Sequence, residues 1–562
     1  MIYAQVIVKS RRRVEALTYQ VPVQFVPLIK IGSLVMVPLQ RRRVSGVVVA
    51  FRRSTSRLIR EKIRSIAALK NQQRLSPQQL KVIRRLAETT GSSLAEVAFH
   101  ALNSLPSLRS QTSDRAATSK KPLFVEGTTA QRLAFYRQLM KKYAPGHRLL
   151  ILFAKRAFAQ AFAATNDGEL QGAVKATTIG ETFSPLQAND IIIVDEPYHL
   201  GSRFSQRPYL TAKQIALVRA TVENLQLVIG SALVALEDYP SIRRGGWLLV
   251  KREKIRRPLL VVDRRASNEL IMPSLQDRLV KALERGKRCL VLALSRGWAS
   301  ALICRRCGYL FRCSNCNRTV AVAARRLQCR YCGKLNPWPP GCPSCRHEDL
   351  AAIGEGIGQF VEALSRLLPH VKIQELSTEN PQLAKHSQLV VATEKIFSFP
   401  AVAFDETFVL SADRLLSGAK LNGIGTLLEH LLELQAVSGT VSVQTFFPDH
   451  LIWGIAGTGD TETFYMVGLK SRRKLRLPPF GSLIVLTGQA HRARLVLQEA
   501  EALGKKIERL LPQAEVSYPE IVDKSGRNYR AEIAAITPRV LSGRDRQQLA
   551  RLIPPGWAIL HQ

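Results

Sequence analysis

The chain is poor in acid. Its 562 residues hold 43 Asp+Glu against 82 Lys+Arg, a formal net charge of +39. Such a field attracts polyanions, and each phosphate neutralised releases a counterion. Nucleic acid is the partner this charge favours most; a ribosome, an anionic membrane face or a generally basic proteome fits the same number. Long apolar runs are also missing. No stretch approaches the ~18 consecutive apolar residues of a membrane-spanning helix, so no membrane partner is expected. The first residues, Met1 to Lys9, alternate like a strand and lack the basic-then-apolar order of a secretion signal. The expected location is the cytoplasm. Cysteine is nearly absent outside one window, because eight of the nine cysteines lie between positions 304 and 345. Where thiols stay reduced, such clustering points to metal rather than to disulfides.

What is present suffices for large cores. Hydrophobic residues make up 46% and charged residues 22%, which is not a disordered composition. At ~150 residues per domain the length implies roughly three to five domains.

Residues 1–53 read as short strands with turns at Tyr3–Lys9, Ala16–Val21, Ser33–Pro38 and Val44–Phe51, punctuated by Gly32 and Gly46. This segment holds ten Lys/Arg and a single acid, Glu15. Two arginine triplets, Arg11, Arg12, Arg13 and Arg41, Arg42, Arg43, fall near turns. A small basic β-barrel with a phosphate-facing surface is the favoured form; triplets that only keep strand edges soluble are the plainer alternative. Helices follow from Ser76-Pro77 and over Leu94–Leu105, and Pro106–Lys121 reads as a linker. From Pro122 the pattern becomes α/β. Apolar runs at Leu149–Phe153, Ile191–Val194, Leu227–Ile229, Leu259–Val262, Leu290–Leu294, Gln388–Ala392 and Thr407–Leu410 suggest parallel sheets with crossover helices. A final segment, about 454–562, has the look of a small α+β domain.

The clustered cysteines form four C-x-x-C pairs: Cys304/Cys307, Cys313/Cys316, Cys329/Cys332 and Cys342/Cys345. Two thiolates on one tight turn can grip a tetrahedral Zn²⁺ at about 2.3 Å, and two pairs complete a closed structural site. Eight ligands therefore imply two zinc ions. Gly308 and Gly333 follow the second cysteine of their pairs, as a knuckle requires. Iron–sulfur clusters and disulfides are the rivals, and spacing alone does not decide which pairs share an ion. The window is rich in arginine and carries Tyr309, Phe311, Tyr331 and Trp338. Cations interleaved with aromatics suit single-stranded or junction DNA, and a structural insert with a solvated basic face is the alternative.

At this point the sequence resembles a known family. The cysteine quartet follows Leu294-Ser295-Arg296-Gly297-Trp298 and precedes Gly354-Glu355-Gly356-Ile357-Gly358, an order similar to the zinc-bearing second lobe of the PriA family of replication-restart helicases. Leu17-Thr18-Tyr19-Gln20-Val21-Pro22 and Val44-Ser45-Gly46-Val47-Val48-Val49 resemble that family's N-terminal barrel, which captures the 3′ end of a nascent strand. Arg472-Arg473-Lys474-Leu475-Arg476-Leu477-Pro478-Pro479-Phe480-Gly481 resembles the opening of its C-terminal domain. The resemblance implies nested zinc sites. Cys304, Cys307, Cys342 and Cys345 would hold one ion, and Cys313, Cys316, Cys329 and Cys332 the other. It also implies DNA contacts at the two arginine triplets, Thr18 and Tyr19, with primosome and single-strand-binding proteins as partners.

The departures from the family are as informative. A phosphate loop needs close-approach glycines, a lysine and a Mg²⁺-binding hydroxyl. Here the stretch is Val125-Glu126-Gly127-Thr128-Thr129-Ala130-Gln131-Arg132-Leu133, which puts Arg132 at the lysine and Leu133 at the hydroxyl. Gly127, Thr128 and Arg132 are thus a vestigial nucleotide site. Asp195 and Glu196 end an apolar strand and are the vestige of a metal-binding acidic motif. Gly230-Ser231-Ala232 survives from the motif that couples the lobes, but Leu233 replaces its threonine. The last helicase motif normally supplies two arginines, one of them a finger worth ~10³–10⁵ in rate. Here the stretch Gln435 to Val441 has neither. Bound ATP and Mg²⁺ are accordingly not expected to drive turnover. Thr18 stands where the family carries an acid for the 3′-hydroxyl. The interval of about 17 residues after Leu105 is too short for the family's winged-helix domain.

The expected fold is a multidomain α/β chain: an N-terminal barrel with helices (1–108), a linker (109–122), two RecA-like lobes (123–255 and 256–453), a two-zinc insert (304–346) and a C-terminal α+β domain (454–562). The expected function is DNA-binding replication restart at stalled or forked DNA, without helicase activity. Two alternatives stand beside it: an active 3′-5′ ATP-dependent DNA helicase using Arg132, Asp195 and Glu196, and a zinc-ribbon protein of RNA or the ribosome.

Overall fold

The structure is a computed structural model. It describes residues 2–8, 16–40, 42–53, 63–90, 92–103, 121–144, 146–164, 173–199, 202, 204, 210–251, 253, 257–265, 269–294, 301–304, 306–307, 309–314, 320–323, 326–328, 334–353, 355–376, 382–384, 387–399, 402–416, 422–525, 528–554 and 556–561.

The first unit is an antiparallel sheet of β1 (Tyr3–Val8), β2 (Leu17–Gln20), β3 (Ser33–Leu39), β4 (Arg42–Arg52) and β5 (Ala68–Arg74), in the order β2-β1-β4-β3-β5. A bridge between Gln20 and Ser65, just before β5, brings the two edges together and curls the sheet toward a barrel. Alternation places Ala4, Val6, Val8, Val35, Val37 and Val48 in one buried cluster. Gly46 lets β4 approach β1 closely, since a Cβ there would lie 2.4 Å from a Val6 methyl. Helices α1 (Pro77–Thr90) and α2 (Leu94–Asn103) pack on the other face, where Leu80, Ile83 and Leu86 meet Leu210 and Ile215 of the next unit.

That unit is a six-stranded parallel sheet, ordered β11-β6-β10-β9-β7-β8. Its elements run β6 (Leu123–Glu126), α3 (Thr129–Tyr143), β7 (Leu149–Phe153), α4 (Arg156–Ala164), β8 (Val174–Thr178), β9 (Ile191–Asp195), α5 (Ala212–Glu223), β10 (Gln226–Ser231), α6 (Tyr239–Arg243) and β11 (Leu248–Lys251). Central strand β9 reads Ile-Ile-Ile-Val-Asp and is buried throughout, as a β-branched run covered on both faces should be.

The second lobe repeats the plan with parallel order β12-β22-β21-β13-β20-β19. It contains β12 (Leu259–Asp263), α7 (Pro273–Glu284) and β13 (Cys289–Leu292), then an insert of short antiparallel strands. The insert strands are β14 (Ala301–Cys304), β15 (Ala321–Ala323), β16 (Arg326–Gln328), β17 (Leu335–Pro337) and β18 (Leu350–Ile353). The lobe resumes with α8 (Ile357–Leu367), β19 (Ile373–Leu376), β20 (Leu389–Ala392), β21 (Phe404–Val409), α9 (Asp413–Leu416), α10 (Gly423–Val437) and β22 (Ser438–Thr445). These two parallel sheets with their helices bear out the multidomain α/β class expected from the sequence. Each of the seven apolar runs read there as strands overlaps one of their strands, though Leu290–Leu294, Gln388–Ala392 and Thr407–Leu410 overrun theirs by one or two residues. One apolar cluster crosses from lobe to lobe, joining Leu227, Ile229, Leu233 and Val234 to Leu427, Leu431, Trp453 and Tyr465.

Helices α11 (Ile452–Thr458) and α12 (Thr461–Lys474) lead into the last unit. It comprises β23 (Ser482–Ala490), α13 (Ala493–Leu510), β24 (Glu515–Val516), β25 (Glu520–Ser525), β26 (Asn528–Thr537), α14 (Gly543–Leu552) and β27 (Trp557–His561). Val496, Ala500, Leu503 and Ile507 recur at helical spacing along α13 and bury against Leu486 and Ile533 of the sheet. Among the described residues no helix is long and apolar enough to cross a membrane.

Candidate functional site

At the barrel, Arg42 and Arg43 begin β4 and are exposed, opposite Leu39 and Pro38. Thr18 is half-buried opposite Gln5. Tyr19 is buried and its hydroxyl donates to the Pro38 carbonyl at 3.1 Å, so it braces the sheet from within. Burial pushes the pKa of its phenol above the ordinary value, against the opposing charge of Arg64. Arg11, Arg12, Arg13 and Arg41 lie outside the described residues.

In the insert, Cys304 ends β14, while Cys307, Cys342 and Cys345 come from turns. Their four sulfurs all lie within 4.8 Å of one another. Cys304 Sγ is 3.5 Å from Cys345 Sγ, and Cys307 Sγ is 3.6 Å from Cys342 Sγ. A tetrahedral ion with ~2.3 Å bonds sets its sulfurs roughly 3.8 Å apart, so this donor set fits a metal ion. Backbone N–H groups of Cys307 and Arg306 help bring the Cys304 thiol down to about 7, while its neighbour Cys345, hydrogen-bonded to the other cysteines, is pushed up to about 12. Of the other four cysteines, Cys313 is buried beside Phe311 and Val320. Cys316, Cys329 and Cys332, like Gly308 and Gly333, fall outside the described residues. Cys289 is fully buried in β13, and burial pushes its thiol up to about 12.

The stretch that the family resemblance reads as a vestigial nucleotide site lies where β6 passes into α3. Thr128 has the extended conformation of a helix N-cap, and its N–H donates to Gln131 Oε1 at 3.0 Å. Arg132, on the first turn of α3, is fully buried. Its Nε donates to Asp195 Oδ1 at 2.8 Å and its Nη1 to the Gly127 carbonyl at 2.8 Å. It also reaches Glu196 at 3.2 Å and Glu433 at 3.3 Å. Burial alone would lower its pKa, but the charges of Asp195, Glu433 and Glu196 outweigh that and hold it well above the usual range. Tyr136 donates to Asp195 at 2.8 Å. This hydroxyl packs against Gly230, where a Cβ would sit 1.7 Å from it. Lys155 pairs with the other oxygen of Glu196 at 3.2 Å.

The structure thus brings Gly127, Thr128, Arg132, Asp195 and Glu196 together, but around one another. Glu126 points away from this cluster. It accepts from the Thr461 hydroxyl at 2.8 Å and from the Tyr465 hydroxyl of α12. Burial raises its pKa, with those two bonds opposing. Leu233 is buried, and the N–H of Val234 donates to the Tyr465 hydroxyl at 2.9 Å. Gln435, in the stretch without arginines, is buried and donates to the Arg257 carbonyl at 3.3 Å.

Sequence reasoning missed the partners from lobe 2. Glu433 accepts from the Thr129 N–H at 2.9 Å and 3.2 Å and from the Thr129 hydroxyl at 3.0 Å. Glu429 lies one turn away on α10, and burial, reinforced by the charge of Glu196, pushes its carboxyl up to about 8. The signal was legible: two glutamates four residues apart interrupt the otherwise apolar Leu427-Leu428-Glu429-His430-Leu431-Leu432-Glu433-Leu434.

Residues 5–103 match the family model of the 3′DNA-binding domain (3′BD) of PriA. The chain is similar to the PriA replication restart proteins. Replication restart protein PriA of Bacillus subtilis (strain 168) is 26% identical over 338 residues, covering 54% of this chain and 42% of that protein. PriA of Rickettsia felis is 24% identical over 394 residues, covering 64% and 60% respectively. The chain therefore spans about half the length of the curated PriA relatives it matches. Among solved structures, S. cerevisiae Dbp5 bound to RNA and ADP BeF3 aligns with a TM-score of 0.34 and 9% identity, over 70% of this chain and 98% of that one.

Proposed function

We propose that this chain is a DNA-binding replication-restart protein that recognises forked or stalled DNA and does not unwind it with ATP. The observation that carries the reading is a pairing within one chain. A 3′ DNA-binding domain, residues 5–103, sits beside a nucleotide position filled by the chain's own side chains. A phosphate entering there would have to displace Glu433 from Thr129 and meet an arginine already neutralised by three carboxylates. Asp195, which would have to hold Mg²⁺, instead accepts from Arg132 and Tyr136.

In this reading the barrel and its helices (1–108) take the DNA end, with Arg42 and Arg43 on phosphates and Thr18 near the terminus. The insert (304–346) holds two zinc ions, one on Cys304, Cys307, Cys342 and Cys345 and the second on Cys313, Cys316, Cys329 and Cys332. Zinc supplies rigidity here, since a closed Cys₄ shell leaves no position for chemistry. The lobes (123–255 and 256–453) and the C-terminal domain (454–562) form a platform for primosome and single-strand-binding proteins in the cytoplasm.

The test is one set of samples of full-length protein. Fork affinity is measured across a salt series in competition with duplex DNA and structured RNA, and ATP hydrolysis is measured with and without forks. Salt-sensitive preference for forks with no hydrolysis is expected. DNA-stimulated hydrolysis lost in Asp195→Asn would overturn the non-catalytic part, and a preference for RNA would overturn the restart assignment.

A further inference from the structure

The first backbone N–H groups of a helix have no partner within the helix, and the helix dipole favours an anion beside them. At the start of α3 that anion comes from the opposite lobe. Glu433 of α10 takes the N–H and the hydroxyl of Thr129 and also the guanidinium of Arg132. Arg132 is at the same time tied to Asp195 and Glu196 at the end of β9 in lobe 1. We infer that Glu433 is an internal stand-in for a nucleotide phosphate, and that it latches the two lobes closed without any ligand.

Other fastenings lie along the same cleft. Lys155 of lobe 1 donates to the Phe397 carbonyl of lobe 2 at 2.7 Å. On the far side Glu126 is held by Thr461 and Tyr465, and Arg472 donates to Glu237 at 2.6 Å. A ligand shifts a conformational equilibrium only by its differential affinity for the two states. Here the differential contact belongs to the chain itself, so closure is constitutive and nucleotide has no lever. The consequence is a fixed spacing. The barrel unit packs on lobe 1 through Phe183, Leu210 and Ile215, and the four-cysteine insert is carried by lobe 2. A closed latch therefore holds two separate surfaces in one register, which suits a platform better than a motor. The inference rests on the proposed function only in taking the nucleotide site as non-catalytic.

Single-molecule energy transfer in the full chain tests it, with bioorthogonal labels replacing the exposed Lys141 of lobe 1 and His370 of lobe 2. Two variants attack the latch from opposite sides. Glu433→Ala removes the anion. Thr129→Pro removes the N–H and the hydroxyl; proline is well tolerated at the first helical position, and Thr128 already has the extended backbone that precedes it. The wild type should show one narrow high-transfer population that Mg-ATP does not move. Each variant should raise the open fraction roughly tenfold or more, and the double variant no further than Glu433→Ala alone, which already removes the Arg132 contact that Thr129→Pro leaves. Adding Tyr465→Phe should widen the distribution again. If both variants keep the wild-type distribution even with Tyr465→Phe, or if Mg-ATP moves the wild type, the latch is refuted. Fork binding measured on the same samples separates the two ideas. Lobes that open in the variants of a chain blind to forks would defeat only the function, and unmoved lobes on a chain that binds forks would defeat only the latch.

Discussion

Arg132 and Glu433 stand 301 positions apart in the chain and 3.3 Å apart in the fold. Their contact makes the cluster of Arg132, Asp195, Glu196 and Glu433 an electrostatic unit that spans both lobes, and the expected behaviour of the protein follows from it.

Arg132→Met leaves Asp195, Glu196 and Glu433 facing one another without their shared guanidinium. Breaking a buried pair from one side typically costs about 3–5 kcal/mol. The midpoint of urea unfolding should fall accordingly at neutral pH. The deficit should shrink as pH falls, because protonating the stranded carboxylates removes their repulsion. A loss below 1 kcal/mol or so would mean water already reaches the cluster.

Glu429 gives a pH dependence of opposite sense to ordinary acid denaturation. Its folded carboxyl titrates at about 8, against 4.5 without the fold. Its contribution is fully present below 4.5 and lost as pH rises toward 8, since only the unfolded chain releases the proton in that window. Glu429→Gln should therefore match the wild type near pH 5 and melt at a higher temperature near pH 8.5. A difference in melting temperature that does not change with pH would show the carboxyl to be ionised in the fold.

Zinc in the insert is checked by elemental analysis. Two ions per chain are expected, and Cys342→Ser should lower the content by one. Structural zinc sites contribute folding energy directly, on the order of 10 kcal/mol in small modules. Chelation should thus unfold the insert locally, seen as faster amide exchange over 301–353, while the α/β lobes keep their own transition. Unchanged exchange after complete metal removal would contradict this.

Arg42 and Arg43 are exposed on the barrel. If both meet phosphates, the double alanine variant should reduce the slope of log affinity against log salt by roughly two for duplex and somewhat less for single strands. The stability of the barrel should hardly move. An unaltered slope would assign the DNA-facing role to other residues.

The sequence by itself determined much of this protein. Patterns that depend only on neighbours were legible in it: Ile191–Val194 as a buried parallel strand, the alternation of the barrel, and the C-x-x-C pairs Cys304/Cys307 and Cys342/Cys345. Strand β22 escaped notice because Ser438, Ser442, Gln444 and Thr445 make it look polar. Only the packed sheet shows them buried and bonded, Ser438 to Thr407 at 2.6 Å and Gln444 to the Leu410 carbonyl at 3.0 Å. Nor do the neighbours of Glu126 show that the fold turns it toward α12. That Glu433 closes over the start of α3 was decided only by tertiary structure. Local sequence can show that a lysine or a glycine is missing, but not that a carboxylate from the other lobe takes the vacated place. That contact exists only once α10 is laid against the start of α3, and burial then makes each charge depend on the others.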